Sequence, residues 1–391
     1  MPLPASWGLE KTLAEIADAG QFRQLRLLEG GQGARVTIDG RTLLNFSSND
    51  YLGLAAHPAV GKALKTAVDI YGVGSGASHL VCGHTSAHAA LEDALARLTG
   101  RSRVLLYSTG YMANLGVASA LLSRQDVLLQ DKLNHASLLD AAAISGAKLV
   151  RYRHADMQHL EERLAALAPS EQRVLVSSDS VFSMDGDVPD LNALASCTAQ
   201  AGAALQLDDA HGLGVLGEQG GGACEAYGLD EAAVPVLMGT FGKALGTAGA
   251  FVAGSEQLIE TLIQKSRTFM YTTAMPPALA AATSQSIELL QSEGWRRPHL
   301  QQLIAGFRKK VSALGLDLMP SDTAIQPLLV GEASAAVNLS KSLLDKGFLV
   351  VAIRPPTVPA GQSRLRITLS AAHDENDVDQ LVQALAELVG R

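Results

Sequence analysis

Two apolar runs, AALQLD (203–208) and VPVLMGT (234–240), decide the fold class, and polar residues follow each of them directly. The first run leads into DAHG (209–212), and the second leads into FGKALG (241–246). Such runs, apolar rather than alternating, are typical of strands that are covered on both faces. Because ligands of open parallel sheets bind outside the carboxyl ends of the strands, the polar residues after both runs are expected at one shared edge.

The same pattern extends outward from these two strands. Further apolar runs predict strands, at residues 103–108, 126–131, 148–152, 173–178 and 249–254. Helical patterns separate most of them, at residues 111–123, 135–146, 156–167 and 190–202. Strands joined by helical crossovers form a mostly parallel sheet. We therefore expect an α/β fold whose large domain is built around a mostly parallel, seven-stranded sheet.

The two ends of the chain show other patterns. Residues 9–28 carry leucines at helical spacing, and ARVTIDGRTLLNF (34–46) indicates two strands joined by an Asp-Gly turn. Beyond residue 295 a second α/β pattern follows, with helices at 298–313, 333–346 and 374–389 and strands near 325–330, 348–353 and 364–369. We expect an N-terminal helix and hairpin arm at 1–48, a large domain at 49–292 and a smaller C-terminal α/β domain at 293–391.

Composition and charge exclude several classes of protein. The 391 residues are 47% hydrophobic, which excludes a disordered chain, and their net charge of −8 comes without a basic cluster. Neither a nucleic acid nor a membrane surface is therefore expected as a partner. No apolar run approaches the roughly 20 residues that span a bilayer, and the N-terminus lacks a signal-peptide pattern. Three cysteines without metal-like or redox spacing (Cys82, Cys197 and Cys224) favour a reducing compartment, so we expect a cytoplasmic protein.

Two further motifs point to other chemistry. Gly212-Leu-Gly214-Val-Leu-Gly217 matches the dinucleotide fingerprint, but GEQGGGAC (217–224) predicts a loop where the pyrophosphate needs a helix N-terminus. His84, His88 and Glu92 share one face of a predicted helix and, with Cys82 close by, could ligate zinc. A polar stripe near the start of a helix is the simpler interpretation, so no metal is expected.

The polar residues at the predicted sheet edge match what pyridoxal phosphate (PLP) requires. PLP needs an amine for a covalent link, and Lys243 supplies one. It needs a carboxylate at its pyridine nitrogen, for which Asp208 is the candidate. Its phosphate needs backbone N–H groups at a helix N-terminus, which STGYMAN (108–114) supplies between a strand and a helix. His135, which opens another helix just past a strand end, could stack on the ring. A bare Gly-Lys alone would indicate only an exposed or structural lysine.

Several ordered sequence blocks carry a family resemblance. They are NFSSNDYLGL (45–54), GSGASHLVCGHT (74–85), STGYMAN (108–114), NHASLLD (134–140), SVFSMDGD (180–187), DDAHG (208–212), TFGKALG (240–246) and YTTAMPP (271–277). Together they resemble the α-oxoamine synthases of PLP fold type I from about residue 20 to the C-terminus. The block IRPPTVPAGQSRLRITLSAAH (353–373) is similar to family members that condense L-alanine with a pimeloyl thioester in biotin biosynthesis.

The resemblance implies a PLP-dependent acyltransferase of the PLP-dependent transferase fold type I, with pimeloyl-CoA or pimeloyl-acyl carrier protein as the acyl donor. It implies that Lys243 binds the cofactor covalently, Asp208 pairs with the pyridine nitrogen, His211 bonds the phenolic oxygen and His135 stacks on the ring. The remaining implied contacts are Gly110, Tyr111 and Thr240 to the phosphate, Ser183 to the cofactor, Arg23 and Thr357 to the acyl substrate, and Arg354 to the amino acid carboxylate. A homodimer with shared active sites is also implied. A glycine- or serine-using member of the family and a non-catalytic scaffold subunit are the alternatives.

Overall fold

The computed structural model describes residues 3–18, 21–167 and 172–389. The strands are β1 (Arg35–Ile38), β2 (Arg41–Asn45), β3 (Arg103–Tyr107), β4 (Val127–Asp131), β5 (Lys148–Tyr152), β6 (Val174–Asp179), β7 (Ala204–Asp208), β8 (Val236–Thr240), β9 (Ala250–Gly254), β10 (Ile325–Gly331), β11 (Phe348–Leu349), β12 (Val351–Ile353) and β13 (Ser363–Thr368). The helices are α1 (Leu9–Asp18), α2 (Pro58–Tyr71), α3 (Ser86–Thr99), α4 (Gly110–Leu121), α5 (Ala136–Ser145), α6 (Met157–Leu167), α7 (Leu191–Gln200), α8 (Ala223–Tyr227), α9 (Glu256–Lys265), α10 (Arg267–Met270), α11 (Pro277–Ser292), α12 (Arg296–Ala313), α13 (Ala333–Asp345) and α14 (Glu375–Val389). Short helical turns occupy Ala5–Trp7 and His79–Gly83.

The central sheet confirms the predicted α/β fold. Its strand order is β3-β9-β8-β7-β6-β4-β5. Strand β9 runs in the opposite direction to the other six strands, and it is antiparallel to both of its neighbours, β3 and β8. Alternate residues of each strand face two separate hydrophobic cores, so that Leu105 and Val252 enter one while Leu106 and Phe251 enter the other. Burial on both faces explains why the strand sequences are apolar rather than alternating.

The two ends of the chain meet in a second sheet. Strand β2 pairs with β1 in the predicted hairpin and, on its other side, in parallel with β11. Strands β10, β13 and β12 form a third, antiparallel sheet. The single strand predicted near 348–353 is therefore divided, with β11 in one sheet and β12 in the other. The domain boundaries at residues 48 and 292 stay a prediction.

The helix predicted over residues 9–28 is wrong in its second half. Helix α1 ends at Asp18, and residues 21–28 are neither helix nor strand. Helix α1 buries none of its side chains, so no packing supports a longer helix. Of the leucines in that pattern, Leu25 is fully exposed, whereas Leu28 packs against the cluster of Val36, Leu43 and Leu349, so they do not form one apolar helix face.

The described helices also bear on membrane association. None of them combines the length and the apolar character that crossing a bilayer requires. A cytoplasmic location stays a prediction.

Candidate active site

The carboxyl ends of three neighbouring strands form the edge that the sequence predicts. Asp179 at the end of β6 is in register with Asp208 at the end of β7, and β8 ends beside them at Thr240. A cavity of about 200 Å³ lies at this edge. The structure brings most of the predicted cofactor residues together there, namely Gly110, Tyr111, His135, Asp208, His211, Thr240 and Lys243.

Lys243 is the amine of this cavity. Burial lowers the pKa of Lys243, the carboxylates of Asp208 and Asp179 oppose that shift, and the guanidinium of Arg366 reinforces it. A lowered pKa raises the fraction of neutral amine, and only the neutral amine attacks an aldehyde or accepts a proton. The electrostatic setting of Lys243 therefore suits both covalent binding and proton transfer.

Asp208 is held in one orientation by its neighbours. Its Oδ2 accepts a hydrogen bond from Asn114 Nδ2 at 2.8 Å, and its Oδ1 accepts one from the backbone N–H of Ala210 at 3.0 Å. Asn114 is fixed in turn, because its Oδ1 accepts from Gln206 Nε2 at 2.8 Å. This chain of buried hydrogen bonds fixes the carboxylate before any ligand binds.

Two other buried carboxyls flank Asp208. Burial, followed by the charge of Asp208, raises the pKa of Asp179 well above its usual range. Burial likewise raises the pKa of Asp209 to about 7, although Ser180 Oγ donates to its carboxylate at 2.5 Å. Burial, together with the charge of Asp208, therefore favours the protonated form of both neighbouring carboxyls.

Two histidines line the cavity as neutral rings. Burial, followed by the charge of Lys243, lowers the pKa of His211 well below its usual value, and its Nδ1 is hydrogen-bonded to Tyr51 Oη at 2.6 Å. His135 is the N-cap residue of α5, with Nδ1 hydrogen-bonded to Ser137 Oγ at 2.8 Å. Burial also lowers the pKa of His135. A neutral ring can stack on a ligand or bond its oxygen without adding positive charge.

The structure shows a cradle that fits a phosphate. Helix α4 begins at Gly110, and the first two residues of the helix, Gly110 and Tyr111, line the cavity, whereas the N–H of Met112 is capped by Thr109 Oγ1 at 3.1 Å. The buried Oγ1 of Thr240 has no hydrogen-bond partner among the described residues. A Cβ at Gly110 would lie only 2.6 Å from Thr240 Cγ2, so the glycine keeps this space open. An orphaned hydroxyl beside a helix N-terminus is what the phosphate of PLP needs. Tyr111 is 41% exposed at the rim and contacts Asp140.

The other predicted site residues lie in neighbouring spaces. Ser183 and Thr357 line a second cavity of about 420 Å³ rather than the Lys243 cavity. Arg23 and Arg354 line an open groove of about 770 Å³, and Arg354 Nη2 donates to the carbonyl of Phe22 at 3.3 Å. The structure therefore does not group Arg354 or Ser183 with Lys243, and their predicted roles remain predictions.

Arg366 is the residue that the sequence prediction missed. It is 7% exposed in β13, and its guanidinium donates to the carbonyl of Ser183 at 2.6 Å and to Asn49 Oδ1 at 3.1 Å. Asn49 Oδ1 also accepts from Tyr51 Oη at 3.3 Å, and Tyr51 is bonded to His211, so this chain of hydrogen bonds links Arg366 to the cavity. The charge of Arg366 lowers the pKa of both Lys243 and His211. The signal available was a pair of arginines in the apolar run SRLRIT (363–368), because buried arginines need a dedicated partner.

The dinucleotide and zinc motifs have other structures. Residues from Gly212 to Gly217 form turns and bends, and no helix opens on these glycines. The loop predicted over 217–224 ends at Gly222, because the short helix α8 begins at Ala223. His79, which the sequence grouping missed, joins His84 and His88 within reach of one ion, but both ring nitrogens of His88 are engaged. Its Nδ1 accepts from the N–H of Thr85 at 3.0 Å, and its Nε2 is bonded to the carbonyl of Met275 at 2.8 Å. His88 therefore fixes the backbone, and a metal would have to displace one of these bonds.

Comparison with protein families and relatives agrees with this geometry. The model of the aminotransferase class I and II family matches residues 41–385. An 8-amino-7-oxononanoate synthase of Pseudomonas putida is 56% identical over 98% of this chain and 97% of the relative. An enzyme of the same name from Cellvibrio japonicus is 55% identical over 100% of this chain and 97% of the relative.

A solved structure supports the same arrangement. A serine palmitoyltransferase variant from S. paucimobilis, with a bound PLP–myriocin adduct, superimposes with a TM-score of 0.92. The two chains are 29% identical, and the alignment covers 100% of each. The fold that surrounds Lys243 is therefore one that holds PLP in a similar protein.

Proposed function

This chain belongs to the aminotransferase class I and II family, and we propose that it catalyses the PLP-dependent condensation of L-alanine with a pimeloyl thioester. The reaction releases CO2 and the free thiol carrier and yields 8-amino-7-oxononanoate, a step of biotin biosynthesis. One observation carries the proposal. Lys243, Asp208 and Thr240 meet in one cavity of a chain that aligns, over nearly its whole length, with synthases of that product.

Bound PLP supplies an aldehyde for covalent linkage and a ring that withdraws electrons from the α-carbon of an amino acid. We assign Lys243 to hold the cofactor and to accept the α-proton, because burial lowers the pKa of its ammonium. We assign Asp208 to the pyridine nitrogen, since its hydrogen bonds already fix the carboxylate. His211 would bond the phenolic oxygen, and His135 would cover the ring.

The phosphate and the amino acid carboxylate need separate holders. Gly110, Tyr111 and Thr240 are the proposed phosphate contacts, because they surround the cradle at the start of α4. We propose Arg366 rather than Arg354 for the amino acid carboxylate. Arg366 acts electrostatically on Lys243, whereas Arg354 lies in the open groove and contacts the backbone of Phe22.

The acyl donor is proposed to enter from the side of Thr357. This residue lines both the open groove that contains Arg23 and the cavity that contains Ser183 (the Ser183 cavity). The Ser183 cavity is mainly apolar, with Leu133, Phe182 and Val358 in its wall. An aliphatic acyl chain fits such a lining, since burial of its methylenes is favourable.

We also propose a homodimer. Several apolar side chains are exposed in and around the segment that precedes α3. The loop that contains Tyr271 lies beside this segment, because the backbone N–H of Ala274 donates to the carbonyl of Ala77 at 3.0 Å. The exposed members are Ile70, Val73, Leu80, Val81 and Tyr271. A patch of this kind favours a protein interface, and sedimentation of the purified protein tests it.

A substrate screen tests the reaction. L-alanine, glycine and L-serine are each mixed with pimeloyl-CoA or with pimeloyl-acyl carrier protein, and thiol release and product mass are measured. Serine is included because the similar solved protein is a serine palmitoyltransferase. We expect rapid thiol release with alanine alone and a product of the mass of 8-amino-7-oxononanoate. A preference for glycine or serine would indicate another condensing activity, and a PLP-loaded protein that releases no thiol would be a non-catalytic subunit.

A further inference from the structure

The open groove of about 770 Å³ lies between the segment of residues 21–28 and the C-terminal α/β layers. Its other wall comes from β12 and from the body of α13, where Val337 and Lys341 face it. The groove adjoins the Ser183 cavity of about 420 Å³ through Thr357, which lines both. A donor with a long flexible arm can therefore rest its bulk in the groove while its acyl chain occupies the Ser183 cavity.

The groove carries concentrated positive charge. Arg23, Arg26, Lys341 and Arg354 line it, and Asp39 is the one acidic residue among its lining side chains. None of the four cations forms an ion pair with a residue that the structure describes. The chain as a whole has a net charge of −8, so this groove opposes the sign of the molecule. Unpaired like charges in a concave surface attract an anionic partner and speed its association.

The same groove exposes apolar side chains. Leu25 is fully exposed, Leu27 is 77% exposed and Phe22 is 48% exposed, and all three alternate with the arginines of segment 21–28. Free CoA offers phosphates but little aliphatic surface to cover these leucines. Its phosphates could pair with the groove cations but would leave Leu25 and Leu27 uncovered. An acidic protein surface with apolar side chains matches both features of the groove.

We propose that this groove docks the acidic carrier protein that delivers the acyl thioester. The proposal rests on the proposed function, because it names the donor for that reaction. Cations of the groove would meet acidic side chains of the carrier, and Leu25 and Leu27 would be covered by its apolar side chains. The thioester arm would then pass Thr357 into the Ser183 cavity.

Charge reversal in the groove tests the proposal by binding. The double variant Arg26→Glu/Lys341→Glu changes two groove cations that have no assigned part in the Lys243 site. The matched control is Lys62→Glu/Lys65→Glu, which makes the same charge change on two exposed lysines of α2. Fluorescence anisotropy with labelled holo-acyl carrier protein measures the dissociation constant at low salt. We expect it to rise about tenfold in the groove variant and by less than about twofold in the control.

Steady-state kinetics separate the carrier from CoA. For the groove variant, KM for pimeloyl-acyl carrier protein should rise about tenfold, while kcat and KM for pimeloyl-CoA stay within about twofold of the parent. Unchanged carrier binding would overturn the proposal. Equal losses with both donors would also overturn it, by assigning the groove to the phosphate that both share. A change in sedimentation without weaker carrier binding would assign the groove to a second copy of the chain instead.

The binding measurement needs no turnover, so it separates this proposal from the proposed reaction. Parent protein that binds the carrier and fails to condense alanine would overturn the reaction and leave the docking surface. Parent protein that condenses alanine with pimeloyl-CoA and does not bind the carrier would overturn only the docking surface.

Discussion

The Lys243 cavity and the groove beside Arg354 are built in opposite ways. In the cavity, polar groups are buried and already bonded to one another, as Asn114 is to Asp208 at 2.8 Å and Tyr51 is to His211 at 2.6 Å. In the groove, Arg26 and Lys341 have no ion-pair partner among the described residues, and Leu25 is fully exposed. This difference indicates that the reacting groups of the cavity are preorganised. The side chains of the groove, which would meet the donor, are free to adapt to it.

The largest expected effect comes from removing the amine of the preorganised cavity. Lys243→Ala should lower turnover by at least about four orders of magnitude, because no other described lysine lines that cavity. Thiol release with alanine and pimeloyl-CoA measures the loss, and the parent should also lose its PLP absorbance band on borohydride treatment and retain bound cofactor. Appreciable turnover by a correctly folded Lys243→Ala protein would contradict the assignment of the amine.

The next effect tests whether the fixed carboxylate acts by its charge. Asp208→Asn should lower kcat by on the order of 10² to 10³, because the isosteric amide lacks the negative charge. Its NH2 group would face a buried donor, Asn114 Nδ2 or the Ala210 N–H, so a lower unfolding temperature is also expected. Asp209→Asn is the matched control, because burial raises the pKa of Asp209 to about 7 and its carboxyl bonds Ser180 and Ala223 instead. Equal losses of kcat in the two variants would show that Asp208 has no special part.

A smaller effect decides whether Arg366, which is linked to the cavity through Asn49 and Tyr51, or Arg354 of the groove binds the amino acid. Arg366→Ala should raise KM for L-alanine about 10- to 100-fold, since a charge-assisted hydrogen bond is lost. Arg354→Ala should change that KM by less than about twofold and affect the acyl donor instead. If Arg354→Ala raised the KM for L-alanine more than Arg366→Ala did, the amino acid carboxylate would be assigned to Arg354. The groove would then take part in binding the amino acid.

The smallest effect concerns His154, which lies in the wall of the Ser183 cavity. Burial alone would lower the pKa of His154, but the hydrogen bonds and charges of Asp131 and Asp187 raise it to about 10. Because the folded-state pKa exceeds the unfolded value, this stabilisation is complete below about pH 6 and is lost as pH rises through about 10. His154→Gln should therefore cost roughly 2 kcal/mol near pH 6 and much less near pH 10.

Urea denaturation of both proteins at the two pH values measures that difference. Other buried groups titrate in both proteins. The difference in the free energy of unfolding between parent and variant therefore isolates the contribution of His154. A gap that is independent of pH would show that His154 stabilises the wall by packing rather than by charge.

The sequence predicted the cavity better than the groove, for a physical reason. Lys243 and Asp208 each follow a buried strand of one sheet, and parallel strands bring their carboxyl ends to the same edge. Arg366 belongs to β13 in a different sheet, and no local periodicity relates the register of one sheet to another. The helical spacing of residues 9–28 likewise says nothing about whether a surface exists to bury its leucines.

The positive groove was also beyond prediction from the sequence. Arg23 and Arg26 are more than 300 residues from Lys341 and Arg354 along the chain, and neither pair forms a basic cluster by itself. Only the folding of the N-terminal segment onto α13 and β12 brings them together. The absence of a basic run therefore gave no information about the local charge of a surface built from distant parts.

The pairing of β2 with β11 has a consequence for biogenesis. The hairpin of β1 and β2 leaves the ribosome early, yet Phe46 N–H donates to the carbonyl of Leu349, which is made about 300 residues later. Until then the free edge of β2 is an unpaired template for other nascent chains. Completion of this layer must therefore be a late event of folding, and until then the unpaired edge of β2 is open to association with other chains.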